Sequence, residues 1–238
     1  MTQTNTQMTV SDLSHLLFAR EYAYDILRRF FIEEPSQEYL KLFAQQRMIK
    51  QFPFIDDSPE IEEGVNEIQQ YLSEFDVVHN QSHFDDLHWD YTRMFIGPFE
   101  LPVPPWESVY VRKDRLLFQQ NTIDVRKEYE QFGYKVFNVN FEADDHIGLE
   151  LDFLYHLNNR CVKLSEEETG ALEEVKYLLN EQQEFLNHHL LPYVSEFCEK
   201  VIEHADTQFF RGMAKILNSY LKMDSEVLNE LLKIDFIQ

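Results

Sequence analysis

Two segments of this 238-residue chain carry residues whose types and spacing could do chemistry. The first runs Gly97-Pro98-Phe99-Glu100-Leu101-Pro102-Val103-Pro104-Pro105-Trp106-Glu107-Ser108-Val109-Tyr110. Its prolines fix φ and remove backbone donors, so the loop is stiff. It is expected to display Phe99, Leu101, Trp106 and Tyr110 around Glu100 and Glu107. A rigid aromatic and acidic surface suits a peptide that carries both apolar and cationic groups. A rigid connection whose aromatics belong to the core is the competing reading. The second segment is Glu142-Ala143-Asp144-Asp145-His146-Ile147-Gly148-Leu149-Glu150. Asp144 or Asp145 is placed to cap a helix start, where a carboxylate accepts backbone N–H groups and complements the dipole. His146 and Glu150, four apart, would form an ion pair on one helix face if the imidazole is protonated.

Metal and nucleophile chemistry find less support. Four-helix di-iron sites need duplicated Glu-x-x-His pairs, and the chain contains none. His79/His83, Asp85/His88 and His146/Glu150 are pairs that nine histidines among 43 acids produce by chance. Cys161 and Cys198 stand apart with no CxxC, which suggests neither a disulfide framework nor a thiolate zinc site. There is no G-x-S-x-G elbow, no G-x-x-x-x-G-K-[ST] loop and no G-x-G-x-x-G turn. His188-His189 reads as surface on an amphipathic helix. The expectation is no metal, no cofactor and no catalytic residue.

The elements that must position these residues are helical. Leu13, Leu17, Ala23, Ile26, Leu27, Phe30 and Phe31 share one broad face before Pro35 stops the helix. A short helix carrying Tyr39, Leu40 and Phe43 follows. Ser58-Pro59-Glu60 opens another with Ile61, Val65, Ile68, Leu72 and Phe75. The next begins near Ser82. Beyond the prolines, Thr122 to Phe132 is predicted helical with Gly133 ending it. Asp144 or Asp145 starts a long helix, Ser165-Glu166-Glu167-Glu168 forms a capping box, Pro192 permits a bend, and Asp206 and Ser225 start two terminal helices. Lys135-Val136-Phe137-Asn138-Val139 could be a strand, with no partner in view. The fold class is all-α. A single globular bundle of roughly ten helices is expected over 1–238, its two halves joined by the Pro-rich loop, with a seam near 97–121.

Composition agrees. Hydrophobic residues make up 44% and aromatics 14%, which excludes disorder, while six glycines are too few for a many-stranded β-fold. The net charge of −22 repels phosphate backbones and favours cationic ligands, so nucleic acid is not expected as a partner, and membrane contact is peripheral at most. The N-terminus lacks a basic n-region and an apolar h-region, and no stretch is long enough to span a bilayer. A cytoplasmic protein is expected.

The two segments resemble the TorD/DmsD family of redox-enzyme maturation chaperones, which includes delta-subunit-like assembly proteins. The first motif stands here as Tyr91-Thr92-Arg93-Met94-Phe95-Ile96-Gly97-Pro98 and continues from Leu101 to Tyr110. The second is Asp144-Asp145-His146-Ile147-Gly148-Leu149-Glu150-Leu151. Met94 stands where leucine is commoner. The resemblance covers most of the chain, and its specificity rests on these two motifs. It implies a cytoplasmic, non-enzymatic chaperone that binds the twin-arginine signal peptide of a molybdenum-cofactor reductase, delaying export until the cofactor is inserted. It also implies, by motif position, that Trp89, Tyr91, Phe95, Pro105, Trp106, Glu107, Ser108, Asp145 and His146 border the peptide. The partner would be the leader and apo-form of the catalytic subunit, and the chaperone a monomer, with a dimer as the alternative. Two rivals stay open: a metal-dependent helical enzyme, and an assembly chaperone for a reductase without a true twin-arginine leader.

Overall fold

The Thr9 side chain accepts a hydrogen bond from the Asp12 amide and starts α1 (Val10–Ile32), whose apolar face buries Leu13, Leu17, Ala23, Leu27 and Phe30. The computed structural model describes residues 7–98, 100–111, 120–136, 142–166 and 172–237. Ser36 and Ser58 cap α2 (Gln37–Gln45) and α3 (Pro59–Glu74) in the same way, and Asn80 caps α4 (Gln81–Phe95). Beyond the prolines come α5 (Glu107–Val111), α6 (Gln120–Gln131), α7 (Ile147–Glu166) and α8 (Leu172–Phe185). A π turn (Leu186–Leu190) bends the chain into α9 (Val194–His204), and α10 (Gln208–Leu231) follows. Ten α-helices among the described residues make the fold all-α.

Four details depart from the sequence expectations. One continuous helix, α10, replaces the two terminal helices: Thr207 caps it, and Ser225 lies inside it, accepting from Gln183 Nε2 at 3.0 Å. Ser165 does not open a helix. Its hydroxyl donates back to the Val162 carbonyl (2.7 Å) in the last turn of α7. Two three-residue strands, β1 (Gln7–Thr9) and β2 (Asp235–Ile237), pair in parallel and join the two ends of the chain; segments this short carry no periodicity to read. Of the suspected strand, Lys135 and Val136 are irregular and 137–139 lie outside the described residues.

Helices from early in the chain pack on helices from late in it. α1 lies along α7, and α3 crosses α10. At that crossing Gly64 and Gly212 face each other, and a Cβ on either would sit within 2.6 Å of the other's carbonyl oxygen, so the backbones touch there. Gly148 does the same at the start of α7, where a Cβ would lie 2.3 Å from the Cα of Ile32. That contact brings the second motif against the end of α1. One aromatic core runs through the bundle: Phe30 packs edge-on against Phe43 and Phe209, and Phe31 against Phe95 and Phe197. Each fully buried phenyl contributes about 1.5–3 kcal/mol from burial alone.

The core also holds a complete ion pair. Arg20, fully buried, donates from Nε and Nη2 to both oxygens of Asp224 (2.6 and 2.9 Å). Two of its three remaining N–H groups go to Asn158 Oδ1 (2.7 Å) and Gln182 Oε1 (3.0 Å), and the Tyr24 hydroxyl also donates to Asp224 (2.7 Å). Burial disfavours the charged guanidinium, but Asp224 more than offsets it and raises the pKa.

Candidate functional site

The two motif segments are pinned to each other by backbone. Trp106 and His146 form an antiparallel bridge, with Ile147 N donating to the Pro105 carbonyl (2.8 Å) and Glu107 N to that of Asp145 (2.9 Å). Proline suits this position because its missing N–H is not needed and its carbonyl still accepts. The Asp145 carboxylate takes Ser108 N on one oxygen (2.9 Å) and the Thr122 hydroxyl on the other (2.8 Å). It therefore ties the loop, α5 and α6 together and does not cap α7. That task falls to His146, whose Nδ1 accepts from Gly148 N (3.0 Å). An accepting Nδ1 carries no proton, which agrees with burial holding the His146 pKa below its ordinary value. Among the described residues His146 and Glu150 form no ion pair.

Beneath the loop sits a second polar cluster. Glu107, expected on display, is 2% exposed. It accepts from Asn121 Nδ2 on one oxygen (3.0 Å) and meets His189 Nδ1 with the other (3.0 Å). His189, read as surface from sequence, is buried because the π turn rotates it inward, while His188 stays outside. Its Nε2 meets Glu128 Oε1 (3.2 Å). Burial works to lower the His189 pKa, but the hydrogen bonds to Glu107 and Glu128 and the nearby charge of Glu150 push it up to about 10. Glu150 is wholly buried; its Oε2 accepts from the Tyr193 hydroxyl (2.7 Å) and its Oε1 has no hydrogen-bond partner. Burial, reinforced by the charge of Glu107, holds the Glu150 pKa well above the carboxylate range.

The outer face is aromatic and acidic. Trp89 is 64% exposed on α4 and lines a groove of about 920 Å³ with Tyr71, Phe75, Pro98 and the carboxylates of Glu74 and Asp86. Arg93 at its edge is occupied by Asp90 (2.9 Å) and Asp206. Thr92, also on the groove wall, donates to Glu34 (2.7 Å). Burial first, and then the charges of Glu34, Glu33 and Glu142, raise the pKa of the buried Tyr91 hydroxyl. Glu142 in turn accepts from Trp106 Nε1 (2.6 Å). Carboxylates thus lie beside both the Trp89 groove and the half-buried Trp106.

Of the nine residues expected at the site, Trp89 and Trp106 present ring surface to solvent. Tyr91, Phe95, Pro105, Glu107, Ser108, Asp145 and His146 are buried beneath or behind the loop, as framework. Phe99 lies outside the described residues. Sequence reading missed Glu33, Glu34, Thr122, His189 and Tyr193. These lie outside both motifs and reach the site only by helix packing, so no local spacing announces them.

The family model described as "Nitrate reductase delta subunit" matches residues 56–199. The chain is similar to the "Chaperone protein TorD" of Aliivibrio salmonicida, with 24% identity over 209 residues, 88% of this chain and 94% of that protein. It is 30% identical to the "Tat proofreading chaperone DmsD" of Salmonella paratyphi A over 124 residues, 52% of this chain and 53% of that one. A TorD of Vibrio parahaemolyticus is 27% identical over 143 residues, 60% of this chain and 64% of its own length.

Proposed function

The chain belongs to the TorD/DmsD family, whose model is that of the nitrate reductase delta subunit, and we propose that it is a cytoplasmic maturation chaperone for the twin-arginine signal peptide of a molybdenum-cofactor reductase. It is a chaperone and not an enzyme. By holding the leader, it delays export of the apo-subunit until the cofactor is in place. No helix among the described residues is long and apolar enough to cross a membrane.

The observation that carries this reading is the exposed Trp89 over a groove walled by Glu74 and Asp86, with Glu34 held on Thr92 of the same wall. The apolar stretch of the leader packs on Trp89, Tyr71, Phe75 and Pro98. Its two guanidiniums meet Glu33, Glu34 and Glu142 beside Trp106, where each carboxylate offers Arg two parallel hydrogen bonds that Lys cannot reproduce. Glu107 and Asp145 shape the loop from below. The long-range field of a −22 protein speeds encounter, and the buried contacts set lifetime.

Titration calorimetry with a leader peptide and its Arg-Arg→Lys-Lys form tests this. The lysine peptide should bind at least tenfold more weakly, while added salt slows association of both by similar factors. Equal affinities would show that the carboxylates do not read guanidinium.

A further inference from the structure

Under the Pro-rich loop, three side chains from three separate elements converge with the donor types of a transition-metal site. One ring nitrogen of His189 and one carboxylate oxygen from each of Glu107 and Glu150 lie within 4.8 Å of one another, and all three residues are buried. Bonds of ~2.1 Å to a tetrahedral ion set donors ~3.4 Å apart, so small rotations of the carboxylates close the site. The His189 Nδ1 to Glu107 distance is already 3.0 Å.

A second observation points the same way. Glu150 is 0% exposed and its Oε1 has no partner, a costly arrangement for a buried polar atom. Each of the three residues has its other polar atom held from outside: Glu150 by Tyr193 (2.7 Å), Glu107 by Asn121 (3.0 Å), and His189 Nε2 by Glu128 (3.2 Å). That is the carboxylate–histidine–metal pattern, in which the distal nitrogen is fixed so that the proximal one faces the ion. Among the described residues, His189 is the only basic side chain touching Glu107, Glu128 and Glu150. Glu128 is about one-third exposed, which leaves a route in from solvent.

We propose that Glu107, Glu150 and His189 bind one divalent first-row metal ion, of the zinc or manganese class, as a structural site. The mixed imidazole and carboxylate donors select that class over magnesium, which demands oxygen ligands and retains water. The ion fastens the residue after Trp106 to α7 and to the π turn, so it holds the loop from behind without touching the peptide face.

The test uses the full-length chain, stripped with chelator and then titrated calorimetrically with Zn²⁺, Mn²⁺ and Mg²⁺, each alone. One Zn²⁺ or Mn²⁺ per chain is expected, with a raised melting temperature and little response to Mg²⁺. Glu150→Gln and His189→Asn, checked for folding by circular dichroism, should weaken binding by more than the roughly 10–100-fold that outer partners alone account for. Replacing the exposed His79 should change nothing. Absent stoichiometric binding by the wild type, or wild-type affinity in folded Glu150→Gln, would overturn the site. If both variants fail to fold, wild-type stoichiometry and the visible spectrum of the Co²⁺ form decide between N/O ligation and none. Peptide affinity is read separately, so failure here leaves the signal-peptide reading intact.

Discussion

Arg20 and Glu150 are both completely buried, and both sit between helices distant in sequence, yet their surroundings differ in charge balance. Around Arg20, one guanidinium meets one carboxylate, and Asn158, Gln182 and Tyr24 add further hydrogen bonds. Around Glu150, carboxylates outnumber the single imidazole of His189 and one oxygen is left without a partner. A satisfied buried network fixes one packing of the helices. An unbalanced one is destabilising unless it has another use. The first region therefore looks built for the fold, and the second for something the fold must hold.

The largest effect should come from breaking the balanced region. Arg20→Met leaves Asp224 buried and unpaired, and we expect a loss of about 3–5 kcal/mol in urea unfolding. The double variant with Asp224→Leu should lose less than the sum of the two single changes, since the uncompensated charge is then gone. Strict additivity would mean that the pair is not coupled and would dissolve the contrast between the two regions.

The two regions were also unequally legible in the sequence. Helix positions followed from capping residues and period: Ser58-Pro59, the Leu13 to Phe31 stripe, and Gly133, which ends α6 at φ 69°. Both motifs were visible because prolines and the Asp-His pair are rare in combination. What stayed hidden was set by long-range packing. Arg20 reads as a polar interruption on an apolar helix, and its partner lies 204 residues away. His189 turns inward through a π turn that no local pattern encodes, and Asp145 looks like a cap until Ser108 and Thr122 are brought to it.

A mid-sized effect belongs to the start of α7. His146→Ala removes the ring acceptor for Gly148 N and should cost about 1 kcal/mol, the usual value for a lost cap. His146→Asn keeps a side-chain acceptor and should retain most of that stability. The pH dependence separates the two roles of the ring. Burial holds the folded pKa of His146 below its ordinary 6.5, so the unfolded chain takes up the proton first as pH falls. The contribution of the neutral ring is complete above about pH 6.5 and is lost progressively as pH falls from there through the lowered folded pKa. Urea melts at pH 7.5 and 5.5 should show a larger acid loss for wild type than for His146→Asn. Equal losses would remove His146 from the account.

Glu150→Gln sharpens the comparison from the other side. In metal-free protein its carbonyl still accepts from Tyr193, and its amide hydrogens can donate toward the surrounding carboxylates. Burial already favours the neutral form of Glu150, so the neutral amide replaces it without stranding a partner, and the change should stay under about 1 kcal/mol. A loss as large as that of Arg20→Met, measured under the same denaturant conditions with chelator present, would show that Glu150 is as tightly satisfied as Asp224.

The smallest effect on stability, and the clearest on binding, is expected at Trp89. Its ring is 64% exposed, so truncation forfeits little buried area and Trp89→Ala should stay within about 0.5 kcal/mol of wild type in urea. The same ring is a large exposed apolar surface of the groove that a ligand can cover, and an aromatic anchor of that kind is worth roughly 2 kcal/mol when truncated. Leader affinity should therefore fall about thirtyfold while the melting curve barely moves. Trp106→Ala should instead touch both, because its indole nitrogen holds Glu142 and its half-buried ring packs edge-on against His146. If Trp89→Ala left affinity unchanged and Trp106→Ala reduced it, recognition would lie at the loop and its carboxylates, and the α4 groove would be no part of it.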